Sequence, residues 1–282
     1  RYMGSEIPFH KIENMAEDVT IKNQTATQLS VPPKHYWLFV VFIAIIGAFS
    51  SLVNDMYLPT MPAMMREFHT DPSMTQMGIS MAMAGMGIGS LLWRSASDRY
   101  GRKPVLILSL LIFVASTAVS LLSQGITFFV VCRFFQGVGA GGAMVLSTSI
   151  PADVYMGRQL AGLMAVVGAV NGIAPALAPV VGGFMASHTG WRGIFMVLLA
   201  IGAVMVAWTC RYRETLPPAR RIQGGGMKGY AKNYRVLLSD RRFMLYVVIK
   251  AVGIGLLYAY ISSAPFIIQD LSLIHISEPT RH

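Results

Sequence analysis

Phe128-Phe129-Val130-Val131-Cys132-Arg133-Phe134-Phe135-Gln136-Gly137-Val138-Gly139-Ala140-Gly141-Gly142 sets one guanidinium in the middle of an apolar, glycine-rich run. A soluble surface helix would present a whole charged face at three- and four-residue spacing, and Arg133 has no charged companion there. In a bilayer such a charge costs roughly 2.5–3.5 kcal/mol on insertion scales, so it must face a partner or a water-filled cavity. The stretch therefore asks for a membrane and for a partner.

Composition supplies the membrane. Of 282 residues, 54% are hydrophobic and 13% charged, and the mean hydropathy is +0.54. A soluble domain is about a quarter charged. The net charge of +10 would suit nucleic acid if the cations shared a face with aromatic residues. They fall instead in short segments between apolar runs, which is a topological pattern and argues against a nucleic-acid partner. Cys132 and Cys210 both lie in apolar runs, read as buried thiols, and offer neither a disulfide framework nor metal-ligand spacing. No metal is expected.

A bilayer core takes about 20 apolar residues of helix. Runs of that order lie at about 37–60, 74–95, 104–123, 126–148, 160–186, 193–210 and 243–268. The chain thus divides into a polar N-terminal tail (1–36), six helices (37–210), a long linker (211–242) with Pro217-Pro218 and Gly224-Gly225-Gly226, and a seventh helix (243–268). The tail lacks the apolar core of a secretory signal. Met3 or Met15 is the expected start. Arg99, Arg102, Lys103, Arg158 and the cations of 211–242 follow the even-numbered helices, so the positive-inside rule places the N-terminus in the cytoplasm.

Within the runs, ionisable residues are few: Asp55 in the first, Arg94 near the inner end of the second, Arg133 in the fourth and Lys250 in the seventh. Asp55 is the one acid of the set. It lies about five residues before the outer end of its helix, and Arg133 about seven residues after the outer end of its own. At about 1.5 Å per residue the two share a depth, and an Asp55–Arg133 salt bridge is the expected arrangement. Such a pair either serves a function or merely locks two helices together. Gln136 lies one turn from Arg133 on the same face, and Gly137, Gly139, Gly141 and Gly142 admit a close backbone. The glycines sit inside a continuous helix without a preceding strand, so they are no dinucleotide fingerprint. Gly85-xxx-Gly89 and Gly168-xxx-Gly172 read as packing contacts. No His, Ser or carboxylate cluster converges on a site, which argues against an enzyme.

The loop Asp98-Arg99-Tyr100-Gly101-Arg102-Lys103 between the second and third helices resembles the signature loop of the major facilitator superfamily. Arg133-x-x-Gln136-Gly137-x-Gly139 resembles the fourth-helix motif of its proton-coupled antiporters, and Asn54-Asp55-Met56-Tyr57-Leu58-Pro59 is similar to the first-helix motif of the Bcr/CflA-type drug:proton antiporters. Ala174-Pro175, Ala178-Pro179 and Gly182-Gly183 resemble the antiporter motif of the fifth helix in its alanine-substituted form. Gly190-Trp191-Arg192, Glu214-Thr215-Leu216-Pro217 and Ser263-Ala264-Pro265-Phe266 also look like positions of that subfamily. Where the loop motif has Gly, usually followed by Pro, before its Asp, this chain has Arg94 and Ser95. A guanidinium there is expected to weaken transport or alter gating.

The resemblance implies an all-α integral membrane protein: a six-helix N-terminal bundle and a seventh transmembrane helix, truncated from a twelve-helix transporter. It implies a multi-pass protein of the bacterial inner membrane, a monomer when full length. The implied function is proton-coupled efflux of small drug-like or amphipathic compounds, with protons as coupling ion and no other cofactor. An importer or facilitator of another small solute, and a non-transporting fragment, are the alternatives. By the same resemblance Asp55, Arg133 and Gln136 carry proton coupling; Asp98, Arg99, Gly101, Arg102 and Lys103 form a gating loop in which a carboxylate beside cations caps a neighbouring helix. Pro175, Pro179, Gly182 and Gly183 shape the fifth helix, and Tyr57, Asn171 and Lys250 are candidates for the substrate cavity. Leu271-Ser272-Leu273-Ile274-His275-Ile276-Ser277-Glu278-Pro279-Thr280-Arg281 resembles the translation of a transposase adapter, so 271–282 is expected to be non-native and the native sequence to end near Asp270.

Overall fold

The computed structural model describes residues 36–221 and 238–276, with side chains described through Ile261 and at Ser263. Residues 1–35 of the expected tail, part of the linker and the last six residues lie outside the described residues. The elements are α1 (Tyr36–Asp55), a 3-10 turn (Leu58–Thr60), α2 (Met61–Glu67), α3 (Pro72–Tyr100), α4 (Arg102–Leu121), α5 (Ile126–Val154), α6 (Gly157–Arg211), a second 3-10 turn (Pro218–Arg220) and α7 (Arg241–Ile276). The described residues contain no strand.

Local chemistry sets the breaks. Pro72 opens α3 at a position where its missing N–H costs nothing. Gly101 separates α3 from α4 with φ 106, a region that glycine alone enters without strain. Gly190, with φ 68, divides α6 into the expected fifth and sixth runs. Tyr36–Glu67, Arg102–Leu121, Ile126–Val154, Gly157–Arg211 and Arg241–Ile261 are long and apolar enough to cross a membrane. α3 corresponds to the remaining expected run. It is 29 residues long, but Thr75, Gln76, Ser80 and Ser90 lower its hydropathy.

The bundle packs through α5, which lies against α1, α3 and α4, while α6 covers α1 and α4. The α3–α5 contact is backbone to backbone. A methyl group on Gly85 would run into the Phe134 carbonyl, and one on Gly137 into the Ala82 carbonyl. In a bilayer, where lipid is as apolar as leucine, such close approach is what holds two helices together. Trp93 closes the end of this seam nearer the C-terminus of α3, its Nε1–H donating to the Val138 carbonyl at 2.8 Å. The same spacing at Gly168 and Gly172 works differently: a methyl at either meets nothing within 4 Å, so the packing expected there is absent among the described residues.

Aromatic side chains fill both ends. Phe39, Phe42 and Tyr212 stack at one end, Phe42 and Tyr212 with centroids 5.2 Å apart. Tyr57, Phe129, Trp191 and Phe195 form the other cluster, against which Tyr258 and Ile261 of α7 pack. Large apolar residues such as Leu91, Leu111, Val180, Phe184 and Val204 face outward, as a lipid-facing surface requires. α7 meets the bundle chiefly at Leu58–Thr60 and Met61–Glu67.

Candidate functional site

Arg133 is fully buried, 0% exposed, at the crossing of α1, α3 and α5. Its Nε donates to the Gly78 carbonyl at 3.3 Å, its Nη1 to the Val53 carbonyl at 3.1 Å and to Gln136 Oε1 at 2.6 Å, and its Nη2 to Asn54 Oδ1 at 3.1 Å. The guanidinium also lies 4.8 Å from the centre of the Tyr57 ring and 5.9 Å from that of Phe195. Gln136 passes the network on, its Nε2 donating to Thr117 Oγ1 of α4 at 2.8 Å. One buried charge thus ties four helices together through neutral acceptors and an aromatic face, an arrangement that stabilises a cation without a counter-charge.

The expected salt bridge is not there. Asp55 forms no ion pair with Arg133; Asn54 is the partner. Depth along the helix axis is right for both residues, but successive helical residues are turned by about 100°, and it is residue 54 that points at α5. Asp55 points elsewhere. It is 3% exposed, Ser51 lies against it one turn earlier on its own face, Tyr258 of α7 is within reach of its charge, and its Oδ2 has no hydrogen-bond partner.

α6 completes this corner. A methyl on Gly182 would press on the Met56 backbone, with its carbonyl oxygen at 2.6 Å, so this glycine lets α6 close on the chain immediately after Asp55. Gly183 is near Pro59, Pro179 is half-buried and Pro175 is exposed.

The cavity candidates do not converge. Tyr57 is 0% exposed, donates to the Thr75 carbonyl at 2.8 Å and stacks on Phe129, so it belongs to the packed core beneath Arg133. Asn171 and Lys250 are exposed on α6 and α7. The amphipathic tyrosine buries because its hydroxyl finds a carbonyl, which satisfies the one polar atom it carries.

At the other end of the bundle Arg102 bridges two carboxylates, Asp98 at 2.5 Å and Asp153 of α5 at 2.8 Å, and donates to Ser97 Oγ at 2.7 Å. Asp98 therefore does not cap a neighbouring helix. Glu214 does: its carboxylate accepts from the backbone N–H of Arg102 at 2.9 Å and of Lys103 at 3.2 Å, where the α4 dipole is positive. Gly101 leaves the room for it, since a methyl there would strike the Glu214 carboxylate. Lys103 Nζ donates to the Cys210 carbonyl at 2.7 Å; Cys210 itself is exposed, against the buried thiol expected, while Cys132 is buried. Arg99 is exposed beside the Tyr100 ring, and Arg94 is exposed as well.

Sequence reasoning missed three contributors. Asn54 was visible only as the neighbour of Asp55. Asp153 lies in the last turn of the apolar α5 and Glu214 stands in the sequence only as a position of the family resemblance, and counting the charge of each linker gives neither a partner. A fourth contact, Glu67 accepting from Trp191 Nε1 at 2.8 Å and from Arg192 Nη1, fastens α2 to the start of the sixth run.

Residues 43–276 match the profile of the Major Facilitator Superfamily. The chain is 34% identical over 232 residues to an uncharacterized MFS-type transporter of Bacillus subtilis (strain 168), covering 81% of this chain and 57% of that protein. It is 24% identical over 240 residues to a bicyclomycin resistance protein homolog of Haemophilus influenzae, covering 83% and 59%. Among solved structures, the xylose transporter XylE of E. coli in an inward-open conformation aligns with a TM-score of 0.63 at 16% identity, over 83% of this chain and 64% of that one. The chain spans less than two thirds of the length of each.

Proposed function

Because this chain belongs to the Major Facilitator Superfamily, whose profile covers residues 43–276, we propose that it forms the first half and seventh helix of a proton-driven exporter of small drug-like or amphipathic compounds. The proposed setting is a bacterial inner membrane, with the N-terminus in the cytoplasm and one copy as the working unit. The proton is the coupling ion, and no further cofactor takes part. Relatives bearing drug-resistance names support the substrate class, among them the bicyclomycin resistance protein homolog.

The observation that carries the reading is Asp55. It is a buried carboxylate with one oxygen unpartnered, set where α1, α6 and α7 meet. A coupling site needs a group whose proton comes and goes during the cycle, and an acid held by no permanent cation meets that need. The electrical part of the protonmotive force supplies about 2.3 kcal/mol per proton per 100 mV. Arg133 and Gln136 hold α1 in place so that Asp55 faces α7, and the Asp98–Arg102–Asp153 bridge with Glu214 holds the opposite end closed.

The experiment is Asp55→Asn in a full-length form, reconstituted in vesicles with an imposed proton gradient. Export driven by the gradient is lost while the protein inserts and binds compounds as before. Gradient-driven export at the wild-type rate in the variant refutes the reading.

A further inference from the structure

Asn54 is 1% exposed, and its amide is committed at both ends. Oδ1 accepts from Arg133 Nη2 at 3.1 Å, and Nδ2 donates to the Met86 sulfur at 3.6 Å. Ser50 Oγ reaches the same sulfur at 3.5 Å. The reverse amide orientation would put N–H groups against a guanidinium that has only donors, so the orientation is dictated by charge. Every acceptor around Arg133 is neutral: two carbonyls, the Gln136 amide and the Asn54 amide. Among the described residues no carboxylate pairs with Arg133, and Asp55, the next residue along, makes no bond to it.

We propose that Asn54 is a positioning residue that keeps the Arg133 guanidinium and the Asp55 carboxylate apart, so that Asp55 changes charge without making or breaking an ion pair. Its amide supplies an acceptor where the guanidinium needs one and a donor where Met86 offers sulfur, and no other side chain of that length supplies both. With that acceptor present, four of the five guanidinium N–H groups are engaged, and the Nη2 edge is held toward residue 54. Without it, Nη2 loses its acceptor, while Asp55 Oδ2 on the next residue stands unpartnered. The groups around Asp55 are then Ser51 on α1 and Tyr258 on α7, and the charge on Asp55 acts on the contact with α7 instead of on the α1–α5 crossing. The role rests on the proton-coupling reading for its purpose, but the separation of the two groups is a property of this chain alone.

The test is carbodiimide modification of the 282-residue chain in lipid nanodiscs at neutral pH, read by peptide mass spectrometry at positions 54 and 55. A hydrophobic carbodiimide reacts with a protonated carboxyl and is blocked by an ion pair. Wild-type Asp55 is modified. In Asn54→Ala the freed guanidinium reaches Asp55, and modification falls by about tenfold, the change that ~1.4 kcal/mol of new pairing produces. A second variant guards against misfolding: the exchange Asn54→Asp with Asp55→Asn keeps composition and charge and moves the carboxylate beside Arg133, where it resists the reagent. Equal modification of wild type and Asn54→Ala overturns the proposal, as does ready modification of the moved carboxylate or a wild-type Asp55 that resists. If the labelling follows the expectation while full-length Asp55→Asn still exports on a proton gradient, the coupling reading falls and the role of Asn54 stands.

Discussion

Replacing Arg133 with Lys preserves the charge and removes the fork, and the geometry says what that costs. Four acceptors surround the guanidinium at 2.6–3.3 Å on three different bearings. An ammonium offers three donors from a single point, loses the planar stacking on Tyr57, and cannot span Gly78 on α3 and Asn54 on α1 together. At least two acceptors lose a charged donor in a site with no access to water. Hydrogen bonds to charged groups contribute about 1.5–3 kcal/mol each, so Arg133→Lys is expected to destabilise the bundle by about 3–6 kcal/mol. Asp55→Asn removes a charge that has no cationic partner, and its effect on stability stays within about 1 kcal/mol. The measurement is a reversible denaturant titration in mixed micelles for both single variants and the double variant. The cycle isolates the pairwise term, which is expected to be near zero between Asp55 and Arg133. A pairwise term above about 1 kcal/mol, or an Arg133→Lys cost below that value, refutes the geometry described here.

Three further outcomes follow from contacts elsewhere in the bundle. Glu214→Ala leaves the N–H groups of Arg102 and Lys103 without an acceptor, costs about 1–2 kcal/mol, and speeds hydrogen exchange at those two amides; unchanged exchange there would show that the cap is idle. Gly137→Ala forces a methyl against the Ala82 carbonyl and destabilises by about 1–3 kcal/mol in the same titration, whereas Gly172→Ala, on an open face, is neutral or stabilising by up to about 1 kcal/mol through helix propensity. Tyr57→Phe drops the bond to the Thr75 carbonyl and costs about 1 kcal/mol, with no loss of compound binding because the ring is core; weakened binding at unchanged stability would return Tyr57 to the substrate cavity.

The comparison of sequence with structure turns on what each kind of pattern can carry. A lone guanidinium in an apolar run is legible as a buried hub because its desolvation cost admits few other arrangements, and Arg133 is such a hub. Its neighbour Gln136 is legible for the same reason that any residue one turn away is: the helix period is fixed. The partner is another matter. Counting residues from a helix end measures depth, and depth is the same to within about 1.5 Å for Asn54 and Asp55. Azimuth decides between them, and azimuth depends on how α1 is rolled in the bundle, which involves close contacts with α6 such as Gly47 against Val167 and Gly182 against Met56 and not the spacing within α1 alone. The two glycine pairs teach the same lesson, since Gly85-xxx-Gly89 meets a helix and Gly168-xxx-Gly172 does not, though their spacing is identical.

Charge sorting fails in a complementary way at the opposite end of the bundle. It assigns each linker a sign, and by that measure the segments after α3, α5 and α6 are simply positive. Arg102 is nonetheless satisfied by acids in the last turns of α3 and α5, and the α4 terminus by Glu214, which lies 112 residues from the N–H it accepts. The minority charge in each segment does the connecting, because a cation near a bilayer surface finds water or phosphate cheaply whereas an acid placed among cations is held by them. Asp55 is the converse case: an acid inside the bundle makes no ion pair with the guanidinium at its own depth, which takes the neutral amide of Asn54 instead. On the proposed reading, Asn54 matters as much as the acid beside it, and a substitution at 54 is expected to change the reactivity of the Asp55 carboxyl without altering the carboxyl itself.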